Sequence, residues 1–337
     1  MATASALPTV RLAFSQAPAL PDPVGFASLA GGKISVGGDC GMLVVGGAHF
    51  PDKKPWEGGL KVYNKSAYLF TKGAWSIAGE LPEVMAYAAY AGTPSGLIVA
   101  GGTNDKENFR KTFRVSLAAS CVKIEALPDL PAPVAFAACA TLNGKLYVVG
   151  GTDSPTATTA LNSVYALDLA KPEAGWKTLA PIPGVGRHLS VAGDFGGLLY
   201  VFGGCSLAPK DGKPFRTYLT QALVYNPSAD TWTTTTALPE SLVASVGPAP
   251  VLGDALVLLG GDTGFFYNNG KSPAEHPGQP KTVYAFTPAT GTYVKAGELP
   301  VGIVTAPAIE CCGKVFLVSG ETGPGKRTNT VTVVERV

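Results

Sequence analysis

MLVVGG (42–47), LIVAGG (97–102), LYVVGG (146–151), LYVFGG (199–204) and LVLLGG (256–261) are one phrase written five times, and VFLVSG (315–320) is a sixth, altered copy. Each is a short apolar run closed by glycine. Such a run reads as a buried strand that stops where the backbone turns sharply or where other chain passes close. The last glycines of the copies stand at 47, 102, 151, 204, 261 and 320, so the steps are 55, 49, 53, 57 and 59 residues. A second mark recurs between them, an aromatic followed by Leu-Pro or Ile-Pro. Trp75 precedes Leu81-Pro82, Trp176 precedes Ile182-Pro183, Trp232 precedes Leu238-Pro239 and Tyr293 precedes Leu299-Pro300, while Leu20-Pro21 and Leu130-Pro131 complete six.

The composition agrees with a chain of many short strands and turns. There are 42 glycines and 28 prolines among 337 residues, about one residue in five against a usual one in eight. Both residues are costly inside helices. Hydrophobic residues make up 46%, ample for a core, and a net charge of +2 argues against disorder. Lys+Arg 26 against Asp+Glu 24 offers no basic face for nucleic acid. No apolar run has the length of a membrane span. MATASALPTVRLAF (1–14) lacks the apolar segment of a signal peptide, so a cytoplasmic chain is expected, or a periplasmic or secreted one if a signal peptide has been removed. Cys40, Cys121, Cys139, Cys205, Cys311 and Cys312 show no CxxC pattern. The expectation for them is free thiols in a reducing compartment.

A period near 50 residues with this punctuation resembles the kelch repeat, one four-stranded propeller blade per copy. The resemblance implies an all-β, six-bladed β-propeller. The period never breaks, so residues 1–337 are expected to form one domain. The aromatic is expected to pack between blades, and the proline to follow an outer strand, where its missing N–H does no harm. After Gly320 only TNTVTVVERV (328–337) remains, enough for one more strand. TVRLAF (9–14) is therefore expected to complete the last blade by pairing with 330–336, which removes the open edge of the ring.

In a propeller the loops after the second strand, and those leading into the innermost strand, gather around the axis on one face. The first set contains three long members here, 48–63, 205–218 and 262–280. The second contains Ala86-Tyr87 and Arg187-His188. Loops this long in a compact repeat are uncommon without a task.

A closer likeness lies in GGAHFPDKKPWEGGLKVYNKSAYLF (46–70), continuing through Trp75, GELP (79–82) and AYA (86–88), and in SGETGPGKRTNTV (319–331). Both are similar to signatures of the N-acetylneuraminate epimerases, the sialic acid mutarotases, and Pro183–Gly204 resembles that family's arginine-bearing blade. The order differs: the first three blades resemble the family's last three, and the reverse. The chain thus resembles a cyclically permuted subfamily, over roughly residues 24–337. The match is firm at 46–88 and 319–331, less so at 183–235 and weak at 110–180.

The resemblance implies an isomerase that interconverts the α and β anomers of sialic acid, with Glu321 and Arg327 as the catalytic pair. Mutarotation removes a proton from the anomeric hydroxyl and delivers one to the ring oxygen, which a carboxyl group beside a water or second polar group performs in turn. The expectation is no cofactor and no metal. His49, His188 and His276 are too scattered to suggest a metal set, and no GxSxG elbow is present. Arg327 and Arg187 are the candidates for the sugar carboxylate, since a guanidinium binds carboxylates through two parallel hydrogen bonds. Relatives vary at the arginine before Ala-Tyr, where this chain has Met85. His49, Trp56, Glu57, Tyr87 and Asn104 are further substrate-binding candidates from the same loops, with Tyr63, Phe265 and Asn268 weaker ones. The expected partner is a small sugar acid, with neither nucleic acid nor membrane. A non-enzymatic kelch module that binds protein is the alternative. A sialidase would need Asp-box turns, which Ser228-Ala-Asp230-Thr-Trp232 does not supply, and a galactose-oxidase-like copper site would need more histidine.

Overall fold

Each run that ends in glycine is the second strand of a four-stranded antiparallel sheet, and six such sheets stand in a ring as the blades of a propeller. The computed structural model describes residues 10–337. The innermost strands are Ala27–Val36, Ala89–Thr93, Ala138–Leu142, Val191–Phe195, Val251–Leu252 and Ala308–Cys311. The outermost are Ala74–Glu80, Cys121–Leu127, Trp176–Thr178, Thr231–Thr234, Thr292–Glu298 and, for blade 6, Leu12–Ala17. The apolar runs of the second strands are buried, apart from the half-buried Phe316, because both faces are covered by neighbouring blades, which is why they read as unbroken apolar stretches. Among the described residues α-helix is confined to Phe265–Asn268, and no helix is long and apolar enough to cross a membrane.

The last blade closes as the sequence implies. Leu12–Ala17 lies antiparallel to Lys326–Arg336, with Leu12 opposite Arg336 and Ala17 opposite Val331. The strand runs three residues past the expected 9–14, and Thr9 falls outside the described residues.

The aromatics do tie blades together, and they do so through hydrogen bonds. The Trp75 indole N–H donates to the Pro18 carbonyl (2.9 Å), Trp176 to Pro128 (3.2 Å), Trp232 to Ala180 (2.9 Å), and the Tyr293 hydroxyl to Thr236 (3.0 Å). Each acceptor lies two residues before the Leu-Pro or Ile-Pro of the preceding blade. The first glycine of the pair is fixed just as firmly. At Gly101, φ is +67° and a Cβ would stand 2.2 Å from the Val134 carbonyl oxygen, so a side chain there is excluded twice. In the sixth blade Ser319 occupies this place. Its hydroxyl has the Phe26 and Thr328 carbonyls as alternative acceptors for its one proton (2.8 and 2.6 Å) and accepts from the Phe26 amide (2.7 Å). The altered repeat is thus the seam between last blade and first.

The cysteine expectation is corrected at the same seam. Cys40 and Cys311 form a disulfide between blades 1 and 6, with Cα atoms 6.5 Å apart and 271 residues between them in sequence. Cys121, Cys139, Cys205 and Cys312 are free. The bridge removes one of the two grounds for expecting a cytoplasmic chain.

Candidate active site at the axial face

The site is built on positions that repeat six times. Ser28, Tyr87, Phe136, Leu189, Ala244 and Thr305 lie on the segments that lead into or open the innermost strands, and all six hold φ between 55° and 59°. That conformation costs a non-glycine residue about 1 kcal/mol. It aims each amide along the ring: Tyr87 donates to Ser28, Phe136 to Tyr87, Leu189 to Phe136, Ala244 to Leu189, Thr305 to Ala244 and Ser28 to Thr305, at 2.7–3.3 Å. The result is a closed girdle of six hydrogen bonds around the axis. Its side chains are unequal. Tyr87, Phe136 and Leu189 crowd the mouth from blades 2 to 4, with the Tyr87 and Phe136 rings 4.1 Å apart. Ser28, Ala244 and Thr305 leave it open beside blades 1, 5 and 6.

Beneath the girdle is a cavity of about 90 Å³, too small for a sugar. Tyr90 closes its floor. Its hydroxyl crosses from blade 2 to the opposite blade 5 and donates to the Gly247 carbonyl at 2.6 Å, separating this cavity from one of about 270 Å³ lined by Lys33, Asp194 and Glu310. A ligand of sugar size does not fit inside this cavity.

The residue after each glycine pair stands one strand out from the girdle. In blade order these are Ala48, Thr103, Thr152, Cys205, Asp262 and Glu321. Both acids lie on the open side. Glu321 Oε2 is 2.8 Å from Arg327 Nη1, and Glu321 Oε1 accepts from the Gly325 amide at 3.0 Å. The Arg327 side chain is 2% exposed. Its Nε donates to the Ala48 carbonyl on blade 1 (3.0 Å) and its guanidinium carbon lies 5.3 Å over the Phe50 ring. Gly325 abuts Pro55, at the start of the short helical turn Pro55–Glu57, where a Cβ would meet the ring at 2.3 Å.

The loop of blade 5 folds toward the same carboxylate. His276 is buried, packs 4.7 Å from the Phe266 ring, and its Nδ1 accepts from Gly278 at 3.1 Å. That bond leaves Nε2 to carry the proton of the neutral ring. Burial lowers its pKa against the charges of Asp262 and Glu321, which raise it. Burial, reinforced by Asp262 and Glu321, pushes the Tyr267 hydroxyl upward, so it remains a proton donor.

The expected residues are sorted by this geometry. Glu321 and Arg327 are brought together. Tyr87 stands in the girdle. His49 follows Ala48, stacks on Phe26 at 4.7 Å and has Asp22 4.0 Å away; burial, more than any neighbouring charge, lowers its pKa. Trp56 is half-buried in the Pro55–Glu57 turn, while Glu57 is exposed and caps that turn through the Lys54 amide (2.8 Å). Asn104 folds its own loop, accepting from Lys106 and Glu107 at 2.8 and 2.9 Å. Phe265 and Asn268 are exposed on the one helix, and Tyr63 is half-buried in the blade 1 loop.

Arg187 requires a correction. It does not reach the central face. It shares a position with Phe26, Met85, Val134, Leu242 and Ile303, all buried between blades. Its side chain is fully buried, with Nη1 donating to the Gly203 carbonyl at 3.3 Å and Nη2 bonded to Gln221. Burial lowers its pKa to about 10. Met85 lies in the equivalent place, so neither blade offers a carboxylate contact there. Asp262, Tyr267 and Lys61 are the residues that sequence reasoning missed. Asp262 was discoverable, since it follows its glycine pair as Glu321 follows Gly320.

Residues 127–272 match the family model described as N-acetylneuraminate epimerase. The chain is similar to the N-acetylneuraminate epimerase of Haemophilus influenzae (strain 86-028NP), at 32% identity over 225 residues, covering 60% of this chain and 57% of that protein. It is also similar to the N-acetylneuraminate epimerase of Salmonella typhimurium (strain LT2), at 28% identity over 260 residues, covering 67% of this chain and 64% of that protein. The matches thus span less than two thirds of either relative's length. A solved structure described as "Structure of YjhT" superposes with a TM-score of 0.68 at 16% identity, covering 94% of this chain and 96% of that one; at that identity the likeness is one of fold.

Proposed function

Since the chain is related to the N-acetylneuraminate epimerases, we propose that it interconverts the α and β anomers of N-acetylneuraminate by opening and reclosing the sugar ring. The observation that carries the reading is the Glu321 carboxylate, 2.8 Å from a buried arginine and beside the open half of the girdle. Glu321, paired with Arg327, takes the proton of the anomeric hydroxyl. The bond between anomeric carbon and ring oxygen then breaks, and the ring oxygen receives a proton from the same carboxyl group, directly or through a water or the Tyr267 hydroxyl. The open-chain ketone rotates and the steps reverse on its other face. One proton moves from one oxygen to another and nothing is consumed. Arg327 acts by positioning: tied to the Ala48 carbonyl and stacked over Phe50, it holds Glu321 in place.

We also read the chain as the same ring opened at a different blade from its relatives. Collinear similarity stops short of two thirds of each relative, whereas the likeness of fold to YjhT extends over nearly the whole chain. The test of function is to mix one pure anomer with the protein and follow the anomeric NMR signals. Acceleration over buffer is expected, and Glu321→Gln is expected to slow it roughly 10²-fold or more with an unchanged circular dichroism spectrum. No acceleration by the wild type refutes the reading and leaves the protein-binding alternative.

A further inference from the structure

The substrate of the reaction proposed above is an acid, and the carboxylate is bonded to the anomeric carbon itself. Whatever cation receives it must lie within a sugar's reach of Glu321. Arg327 is committed to Glu321, to the Ala48 carbonyl and to Phe50, and Arg187 is sealed between blades. A different cation stands at the rim. Lys61, in the loop of blade 1, holds its ammonium 5.4 Å from the ring centroid of Tyr87 and 6.0 Å from those of Phe50 and Tyr63. Tyr87 belongs to the girdle, so the charge overlooks the mouth of the axial cavity. Phe50 also carries Arg327, so Lys61 and the Glu321–Arg327 pair flank one ring. Lys61 is exposed and enters no ion pair among the described residues.

Three aromatic faces attract an ammonium and fix where it sits without using its three N–H donors. An ammonium so placed, with no acid of its own, is complementary to an incoming anion. We propose that Lys61 is the residue that binds the carboxylate of the sugar acid and so restricts the site to acidic keto-sugars. The proposal rests on the mutarotase reading of Glu321 for its substrate. It goes beyond that reading by giving acid recognition to a residue of the first long loop.

The test compares N-acetylneuraminate with its methyl ester, in which the same sugar carries no charge. The wild type is expected to prefer the acid. Lys61→Met keeps the stem and removes the charge. It is expected to raise KM for the acid about 10- to 100-fold, as loss of one charged hydrogen bond implies, with kcat within about threefold. The acid-over-ester preference should vanish as well, and Lys61→Arg should restore most of it. A residue that only packed the loop would alter both sugars alike. Lys61→Met with unchanged KM and an intact preference for the acid overturns the proposal while leaving the mutarotase reading standing. Should the wild type not accelerate anomerisation at all, that reading fails, and the two sugars are then titrated calorimetrically. Weaker acid binding by Lys61→Met, with ester binding unchanged, supports the proposal; equal affinities in wild type and variant overturn it. Lys61→Gln serves as the second uncharged variant if Lys61→Met does not fold.

Discussion

His188 sits where other blades carry Ala27, Ala86, Ala135, Val243 and Val304. It is buried, and its Nε2 lies 2.8 Å from the Cys205 sulfur. Burial, helped by the charge of Arg216, lowers its pKa to about 4, and burial raises the Cys205 thiol to about 11. Both groups are therefore neutral at physiological pH, and the pair is a packing contact rather than an activated thiolate. The folded pKa lies below the unfolded value of about 6.5, so the native state binds fewer protons. This contribution to stability is complete above pH 6.5 and is lost as the pH falls toward 4. The loss is expected to reach roughly 2–4 kcal/mol, read as a falling Tm between pH 7.5 and 4.5, and His188→Val should flatten the curve. Arg187 and His188 also show what one sequence conceals. The residue type of Arg187 suggested a site, yet the direction of each side chain follows from its place in the repeat. That place becomes visible only when six equivalent positions are laid side by side. Glu321 and Arg327 were legible through the resemblance at 319–331, and the turn at Pro324 and Gly325 explains how one short segment brings them together.

The blade is the element in which sequence and structure correspond best. The glycine pair, the aromatic and the Leu-Pro each serve a contact between neighbours, so each is repeated and can be read. What the pattern did not disclose is the donor. Trp176 sends its indole N–H to the Pro128 carbonyl at 3.2 Å and to the Thr112 hydroxyl at 3.1 Å. Trp176→Phe keeps most of the ring area and removes that donor. It is expected to cost about 1 kcal/mol of stability, measured by chemical denaturation, with anomerisation unaffected because the contact lies at the outer edge. Val122 and Phe14, at the corresponding edges of blades 2 and 6, have no donor to give and contribute packing alone against Gly79 and Gly297. Loop interiors were the least legible part. The helical turn Phe265–Asn268 and the hairpin of Cys205–Lys210 with Lys213–Tyr218 carry no repeat, so nothing in the chain calibrated them.

The whole molecule is a ring held shut in three ways: by the strand Leu12–Ala17, by the girdle, and by the Cys40–Cys311 bridge. Deleting residues 1–20 exposes the edge of Lys326–Arg336 and uncovers the core around Leu20 and Phe14. A sharp fall in Tm is expected, and an unchanged Tm would show that the strand is dispensable. The bridge joins positions too far apart for any local signal to have announced it. It also decides how the molecule bears a load. Leu12 lies opposite Arg336, so the two ends leave from the same edge of the sheet, and a pull on them opens that pair rung by rung, as a zipper rather than in shear. Tension then travels inward only as far as Cys40 and Cys311, where it passes through sulfur. Blades 2 to 5 lie wholly between those two residues and carry no force while the bridge is intact. With the bridge reduced, the same pull would pass through every blade in turn.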